Sequence, residues 1–371
     1  MAQAELLVLS YALNAPGFCQ WLQLPGQDMP RTPRTETQLC DFDALDELEA
    51  TAKAAEADTV SAPLPQPLGV AEAQPRSPLE KRPLPARAER DAFTSHREQQ
   101  EDDVENGTLE VGGMDPYRQA VRRALEDDAA FSAFKQDAAY RVVLEHVWPS
   151  LGAEYLRHAL RDAPGIWNEL EDAVLRNNWV GAPILHGYPD IGPVSPTQLR
   201  YLKVLADLRT WRGLPRLSSQ TTVVEFGVGY GGQAQIILSG HKLASYVLID
   251  FPEVELLALR YLEATLDAER LAAVSLYQDR SRRAARNGGN FRADLFISNY
   301  AFSELRPSLQ RRYFESVVQH CRHGYVTYNR AADAGAMPVA EFADLLRQVG
   351  RTPKVAAEEP HIAPECYHVT W

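Results

Sequence analysis

The sequence predicts an α/β fold: a mostly parallel sheet with helices on both faces, an antiparallel strand near its end, and a helical segment before it. Three observations predict this. From Thr221 onward, short apolar runs alternate with amphipathic stretches, the pattern of successive strand–helix–strand units. The chain closes with two strand-like runs, PKVAAEE and CYHVTW, joined by a short proline-containing loop. Such a terminal hairpin puts one antiparallel strand into an otherwise parallel sheet. Between residues 115 and 178 the apolar residues recur at helical spacing only.

Taken in order, residues 1–112 differ in composition from the rest. Prolines recur at 63, 65, 67, 75, 78, 83 and 85, and proline donates to neither helix nor sheet ladders. The stretch RAERDAFTSHREQQEDDVENG is dense in charge and poor in apolar residues, so it buries too little surface to offset its ordering entropy. These residues are expected to form a largely disordered extension, with one short acidic helix over Asp43–Ala57. A second segment, 113–194, opens at Asp115-Pro116, an N-cap followed by proline at the first helical position. It carries the helical patterns YRQAVRRALEDDAAFSAF, AAYRVVLEHVWPSLGAEYLRHAL and GIWNELEDAVLRNN, then a turn-rich stretch with Gly181, Pro183, Gly187, Pro189, Gly192 and Pro193. We expect it to lid the site. The third segment, 195–371, starts with a helix capped by Ser195-Pro196. Its expected strands are TVVEFG (222–227), SYVLID (245–250), AAVSLY (272–277), ADLFIS (293–298) and GYVTYN (324–329). The helices expected between them are GGQAQIIL, EVELLALRYLEATL, SLQRRYFESVVQHC and VAEFADLLRQVG.

The net charge is −12, which disfavours non-specific binding to nucleic acid or an anionic membrane. No run approaches the ~20 apolar residues of a membrane crossing. The N-terminus lacks a basic n-region, so no signal peptide is read. Cys19, Cys40, Cys321 and Cys366 show no CxxC or CxxH spacing, which points to reduced thiols in a cytoplasmic protein. The expected partner is a small molecule or glycan.

The strongest motif is VVEFGVGYGGQ, residues 223–233, placed between a strand and a helix. Its glycines let the backbone turn sharply beside a ligand, and the helix behind offers free N–H groups. It parses in two ways. Gly227-x-Gly229-x-x-Gly232 is the dinucleotide fingerprint. Glu225-x-Gly227-x-Gly229-x-Gly231 is the S-adenosylmethionine loop of class I methyltransferases. Glu225 separates the two, because a carboxylate suits a ligand with a cationic amino-acid end and not a pyrophosphate.

Asp250 ends the second strand in YVLIDFPEV, where a carboxylate accepts ribose hydroxyls in either cofactor family or caps the following helix. Phe251 beside it lies against an adenine or belongs to the core. Gln278 and Asp279 follow the third strand, at a position for hydrogen bonding the adenine amino group or for a turn. The fourth strand delivers Ser298 and Asn299 to the carboxyl edge of the sheet, where open α/β sheets bind ligands. Asn299 is a candidate cofactor contact. Glu304, in the loop after it, is the first candidate for a general base, the alternative being a helix cap or surface ion pair. His361, between the last two strands, is the second and His186 the third. Asp279, Glu304 and Asp294 have the chemistry for magnesium, but their spacing does not demand a metal. The basic run DRSRRAARNGGNFR (279–292) reads as a solvated loop or an anion contact.

The set SPTQLRYLKVLADL (195–208), VVEFGVGYGGQ, YVLIDFPEV, ADLFISNYAFSEL and GYVTYN resembles the sugar O-methyltransferase family of class I S-adenosylmethionine-dependent methyltransferases. NYAFSEL is the most specific piece, and the likeness covers residues 175–371. It implies a Rossmann-like seven-stranded sheet whose last strand is antiparallel. It also implies Glu225, Gly227, Gly229 and Gly231 as the cofactor loop, Asp250 as ribose ligand and S-adenosylmethionine as cofactor. The chain departs from the family at Gly181-Ala182-Pro183, where glycine-asparagine-proline is usual. Two rival readings remain: a nicotinamide-dependent oxidoreductase using the same glycines, and a methyltransferase-like fold kept as a non-catalytic binding module.

Overall fold

The computed structural model describes residues 114–211, 213–277, 291–329, 337–360 and 366–371. The expected extension 1–112 lies outside them, as do Gln278, Asp279 and His361.

The helical segment opens with α1 (Met114–Glu126), α2 (Asp128–Ser132), α3 (Ala138–Leu144), α4 (Pro149–Asp162) and α5 (Ile166–Arg176). Asp137 caps α3 by accepting from the N–H groups of Ala139 and Tyr140, and Pro149 starts α4. The turn-rich stretch contains a short antiparallel hairpin that the sequence reading did not anticipate, β1 (His186–Tyr188) and β2 (Gly192–Val194). Its tight connection uses left-handed backbone at Asp190 and Gly192, so its glycines and prolines look like loop composition. The candidate His186 is part-buried on β1.

Helix α6 (Pro196–Thr210) is buried over Pro196–Leu208, polar residues included, because α4 and helix α7 (Gly232–Gly240) both pack on it. Five polar side chains, Thr197, Gln198, Arg200, Lys203 and Asp207, are therefore held in the interior. Lys203 and Asp207 pair at 2.7 Å, and the Tyr325 hydroxyl donates to Asp207 at 2.7 Å. Asp207 is thereby satisfied as a buried charge must be.

The sheet comprises β3 (Thr222–Phe226), β4 (Ser245–Ile249), β5 (Val274–Leu276), β6 (Ala293–Asn299), β7 (Cys321–Asn329), β8 (Lys354–Ala357) and β9 (Cys366–Thr370). Their spatial order is β5-β4-β3-β6-β7-β9-β8, with β9 antiparallel to both neighbours and the pairs from β5 through β7 parallel. The expected seven-stranded sheet with its antiparallel last strand is thus present. Alternation along the strands feeds two cores. Val223, Tyr246, Leu248, Leu295 and Ile297 face α1, α6, α7 and α8 (Pro252–Thr265). Val224, Phe226, Val247, Ile249 and Phe296 face α10 (Pro307–Ser316) and α11 (Val339–Gln348). The expected helix 308–321 stops at Ser316. Val317 leaves helical geometry, and β7 begins at Cys321, earlier than the run GYVTYN suggests. A short helix, α9 (Ala268–Leu271), precedes the edge strand β5.

The order reverses between β3 and β6. One branch proceeds to β4 and β5 and the other to β7. A crevice opens at such a switch point, outside the carboxyl ends of the two strands.

Candidate active site

The glycine loop leaves β3 at this switch point. Gly227 has φ 77°, and its N–H donates to the Ile249 carbonyl at 2.8 Å. A Cβ on Gly227 would lie 2.1 Å from that of Ala301, so only glycine lets the loop touch the turn that follows β6. Gly231, at φ 87°, starts α7, whose N-terminal N–H groups face the same crevice end of the sheet. Gly229 is also in left-handed geometry, at φ 52°, with Leu144 of α3 against it. The helical segment therefore reaches the loop directly.

Asp250, just past β4, is joined to this loop. Its Oδ2 accepts from the Gly229 N–H at 3.1 Å and its Oδ1 from the Phe251 N–H at 2.8 Å. Burial pushes its carboxyl up to about 6, and the backbone N–H groups pull in the opposite direction. Phe251 is part-buried, with the Arg118 guanidinium 4.7 Å from its ring centroid. Arg118 also pairs with Glu253 at 2.7 Å. Helix α1 thus covers the Asp250–Phe251 edge.

Glu225 shares the sheet face of Val223, which is the face that packs on α6. It is 2% exposed, and the Tyr246 hydroxyl donates to its Oε2 at 2.7 Å. Burial pushes its carboxyl up to about 8. It lies beneath the loop rather than on the crevice surface.

Across the crevice, β6 ends at Asn299, whose Oδ1 accepts from the Thr327 hydroxyl at 3.4 Å. Tyr300 follows with φ 69°, an uncommon conformation for a bulky residue and one that turns the chain sharply at the sheet edge. Its hydroxyl donates to Glu358. Ser303 fixes the turn, donating to the Tyr300 carbonyl at 2.6 Å and accepting from the Asn329 N–H at 2.9 Å. Glu304 is open to solvent yet closely walled by protein. Enclosure raises its carboxyl above the ordinary range, against the opposing influence of Asn329 and Arg200. Glu304 ends the short turn that starts at Ala301, the residue packed against Gly227. Asp294 lies at the opposite end of its strand and accepts from the Thr222 N–H at 2.8 Å, so it is remote from Glu304. Among the described residues no three His, Cys, Asp or Glu side chains gather where they would hold a metal ion.

Sequence reasoning missed the lid's contribution. Glu145 and His146, between α3 and α4, and Tyr155 on α4 all lie within the electrostatic reach of Arg200 on α6. His146 resembles Glu304 in being open to solvent but enclosed. Burial and the Arg200 charge lower it to about 4, so it is neutral at physiological pH. The sequence offered no signal for this, because no spacing along the chain relates these positions.

No protein-family model matches the chain, and no curated protein is similar to it. Solved structures are similar to parts of it. An O-methyltransferase family protein from Burkholderia thailandensis aligns at 14% identity and TM-score 0.32, over 40% of this chain and 50% of its own. The match thus spans half the length of that protein. Mitomycin 7-O-methyltransferase aligns at 17% identity and TM-score 0.33, over 63% of this chain and 70% of its own. A SAM-dependent methyltransferase from Aquifex aeolicus aligns at 16% identity and TM-score 0.30, over 46% and 87%. The fold assignment rests on the strand order and register described above. Among the described residues no helix is long and apolar enough to cross a membrane.

Proposed function

We propose that this chain transfers a methyl group from S-adenosylmethionine to an oxygen, and that the acceptor is a sugar hydroxyl in a glycan or small glycoside. The observation that carries this reading is the union of Asp250 with Gly229 at the switch point, above a buried Glu225. The residues present fit the cofactor. Backbone N–H groups fix the Asp250 carboxylate, and a carboxylate has about four lone-pair sites, which leaves capacity for ribose hydroxyls. Phe251 offers an aromatic surface for adenine, and Glu225 supplies a carboxyl beneath the loop that is favoured in its charged form by a nearby cation.

The cofactor supplies an already activated methyl group. The chain's own task is then to align an acceptor hydroxyl with it, exclude water and receive the hydroxyl proton. Tyr300 and Asn299 border the position for the hydroxyl, and α1 and α3 close the crevice. Glu304 is the proposed base: enclosure raises its carboxyl above the ordinary range, which makes its carboxylate a stronger base than an ordinary one. The net charge of −12 supports a small-molecule or glycan acceptor over nucleic acid.

Calorimetric titration with S-adenosylhomocysteine, beside NADH, tests this reading. The wild type is expected to bind S-adenosylhomocysteine saturably and NADH not at all. Asp250→Ala removes two charge-assisted hydrogen bonds to ribose and is expected to weaken binding about 100-fold. Binding of NADH alone overturns the proposal. Binding of neither moves the assignment to a non-catalytic module.

A further inference from the structure

Arg200 is a buried guanidinium without an ionic partner among the described residues. It is 7% exposed, its Nε has no hydrogen-bond partner, and it forms no ion pair among the described residues. What holds it is aromatic. Its guanidinium carbon lies 5.5 Å from the Tyr201 ring centroid and 5.6 Å from that of Tyr300. Glu145, Glu304 and Glu358 feel its charge but flank it without contact. A guanidinium removed from water this far is unfavourable unless something compensates its charge. Nearby Lys203 shows the alternative, paired with Asp207 on the same helix at 2.7 Å. Arg200 instead stands beside Tyr300, the residue that turns the chain at the crevice. The planar fork of arginine matches a carboxylate with two parallel hydrogen bonds, a geometry lysine does not offer.

We infer that Arg200 is the receptor for a ligand carboxylate in the crevice. That group comes from one of two sources: the amino-acid end of the cofactor, or an acid group on the acceptor, such as a uronate. The inference rests on the methyltransferase reading above and adds the ligand chemistry of a residue that reading does not use.

The test is calorimetry on the full chain and on Arg200→Gln. Four probes are used: S-adenosylhomocysteine; 5′-methylthioadenosine, which lacks the amino-acid end; and glucuronate and glucose, each added to protein saturated with S-adenosylhomocysteine. If the cofactor carboxylate is the partner, the variant loses about 30-fold or more in affinity for S-adenosylhomocysteine and nothing for methylthioadenosine. If the acceptor carboxylate is the partner, both nucleosides bind unchanged, while the wild type prefers glucuronate to glucose and the variant does not. Because Arg200 is buried, a ligand-side measurement accompanies the variant. On the unmutated chain, the methyl ester of S-adenosylhomocysteine is compared with the free acid. Equal affinity for ester and acid, together with no preference for glucuronate, overturns the inference while leaving the cofactor reading intact. A wild type that binds neither nucleoside overturns both.

Discussion

Glu225→Gln is expected to stabilise the protein by an amount that grows from nearly nothing at acid pH to about 5 kcal/mol in alkaline solution. The carboxyl is held at about 8 in the folded chain, against 4.5 ordinarily, and burial is the largest cause. The folded state therefore keeps a proton through the window from pH 4.5 to 8 that the unfolded state releases. Stability falls as pH rises across that window, because ν_U is smaller than ν_N there. Glutamine cannot ionise, so the penalty disappears. Its carbonyl is still able to accept from the Tyr246 hydroxyl, which now reaches Glu225 at 2.7 Å. Urea midpoints of wild type and variant at pH 5, 7 and 8.5 check this. A difference that is flat across the series would mean that Glu225 is not protonated in the folded chain. The same exchange bears on function. A cationic ligand end near the loop favours ionised Glu225, so the stability gained is expected to come with weaker binding of both S-adenosylmethionine and S-adenosylhomocysteine, which share the amino-acid ammonium. A natural sequence that keeps the less stable residue at this position is consistent with a ligand that compensates for it.

The sheet and the glycine loop were legible because their signals are local. A five-residue strand, a glycine turn and a helix start lie within residues 222–240, and Asp250 ends the next apolar run. The terminal hairpin was legible for the same reason. Glu225 was only half legible. The motif identified it, but its place beneath the loop follows from strand alternation, which puts it on the face of Val223. The Arg200 surroundings were not legible at all. They join residues 145–155, 200, 300–304 and 358, which no sequence spacing relates. Burial of Arg200 results from α6 being covered by both α4 and α7, a property of the assembled fold. The hairpin at 186–194 failed in the other direction, because its turn-forming residues outweigh two strands of three residues each.

Lys135→Met should show the opposite pH dependence, and it tests how the lid is held to the loop. Lys135 is 0% exposed. Its Nζ donates to the Asn177 side chain and lies 4.0 Å from the Tyr230 ring centroid and 4.7 Å from that of Tyr261. Tyr230 belongs to the glycine loop, so this ammonium is packed beneath the element proposed to hold the cofactor. Burial lowers Lys135 to about 7, and the charge of Glu145 opposes that only in part. The folded chain thus resists protonation between pH 7 and 10.5, where the unfolded chain is already protonated. The resulting penalty is complete below pH 7 and vanishes above 10.5. Methionine fills similar space, and its sulfur is compatible with the aromatic cage. Asn177 Oδ1 keeps the Tyr261 hydroxyl as a donor at 3.0 Å. Replacing a buried ion by an apolar side chain of this size is expected to stabilise by roughly 1–4 kcal/mol at pH 6, with the gain shrinking toward pH 10. Denaturant midpoints at pH 6 and 9.5 measure it, and a variant less stable at pH 6 would show that the cage binds the ammonium more strongly than water does. The consequence extends into the crevice. Lys135 helps keep Glu145 ionised against the burial that raises its carboxyl. Without it Glu145 is expected to take up a proton more readily, which leaves the Arg200 charge less compensated and more attractive to a ligand anion. If Arg200 receives a carboxylate, Lys135→Met should therefore tighten that ligand at neutral pH, whereas a purely structural Lys135 would leave its affinity unchanged.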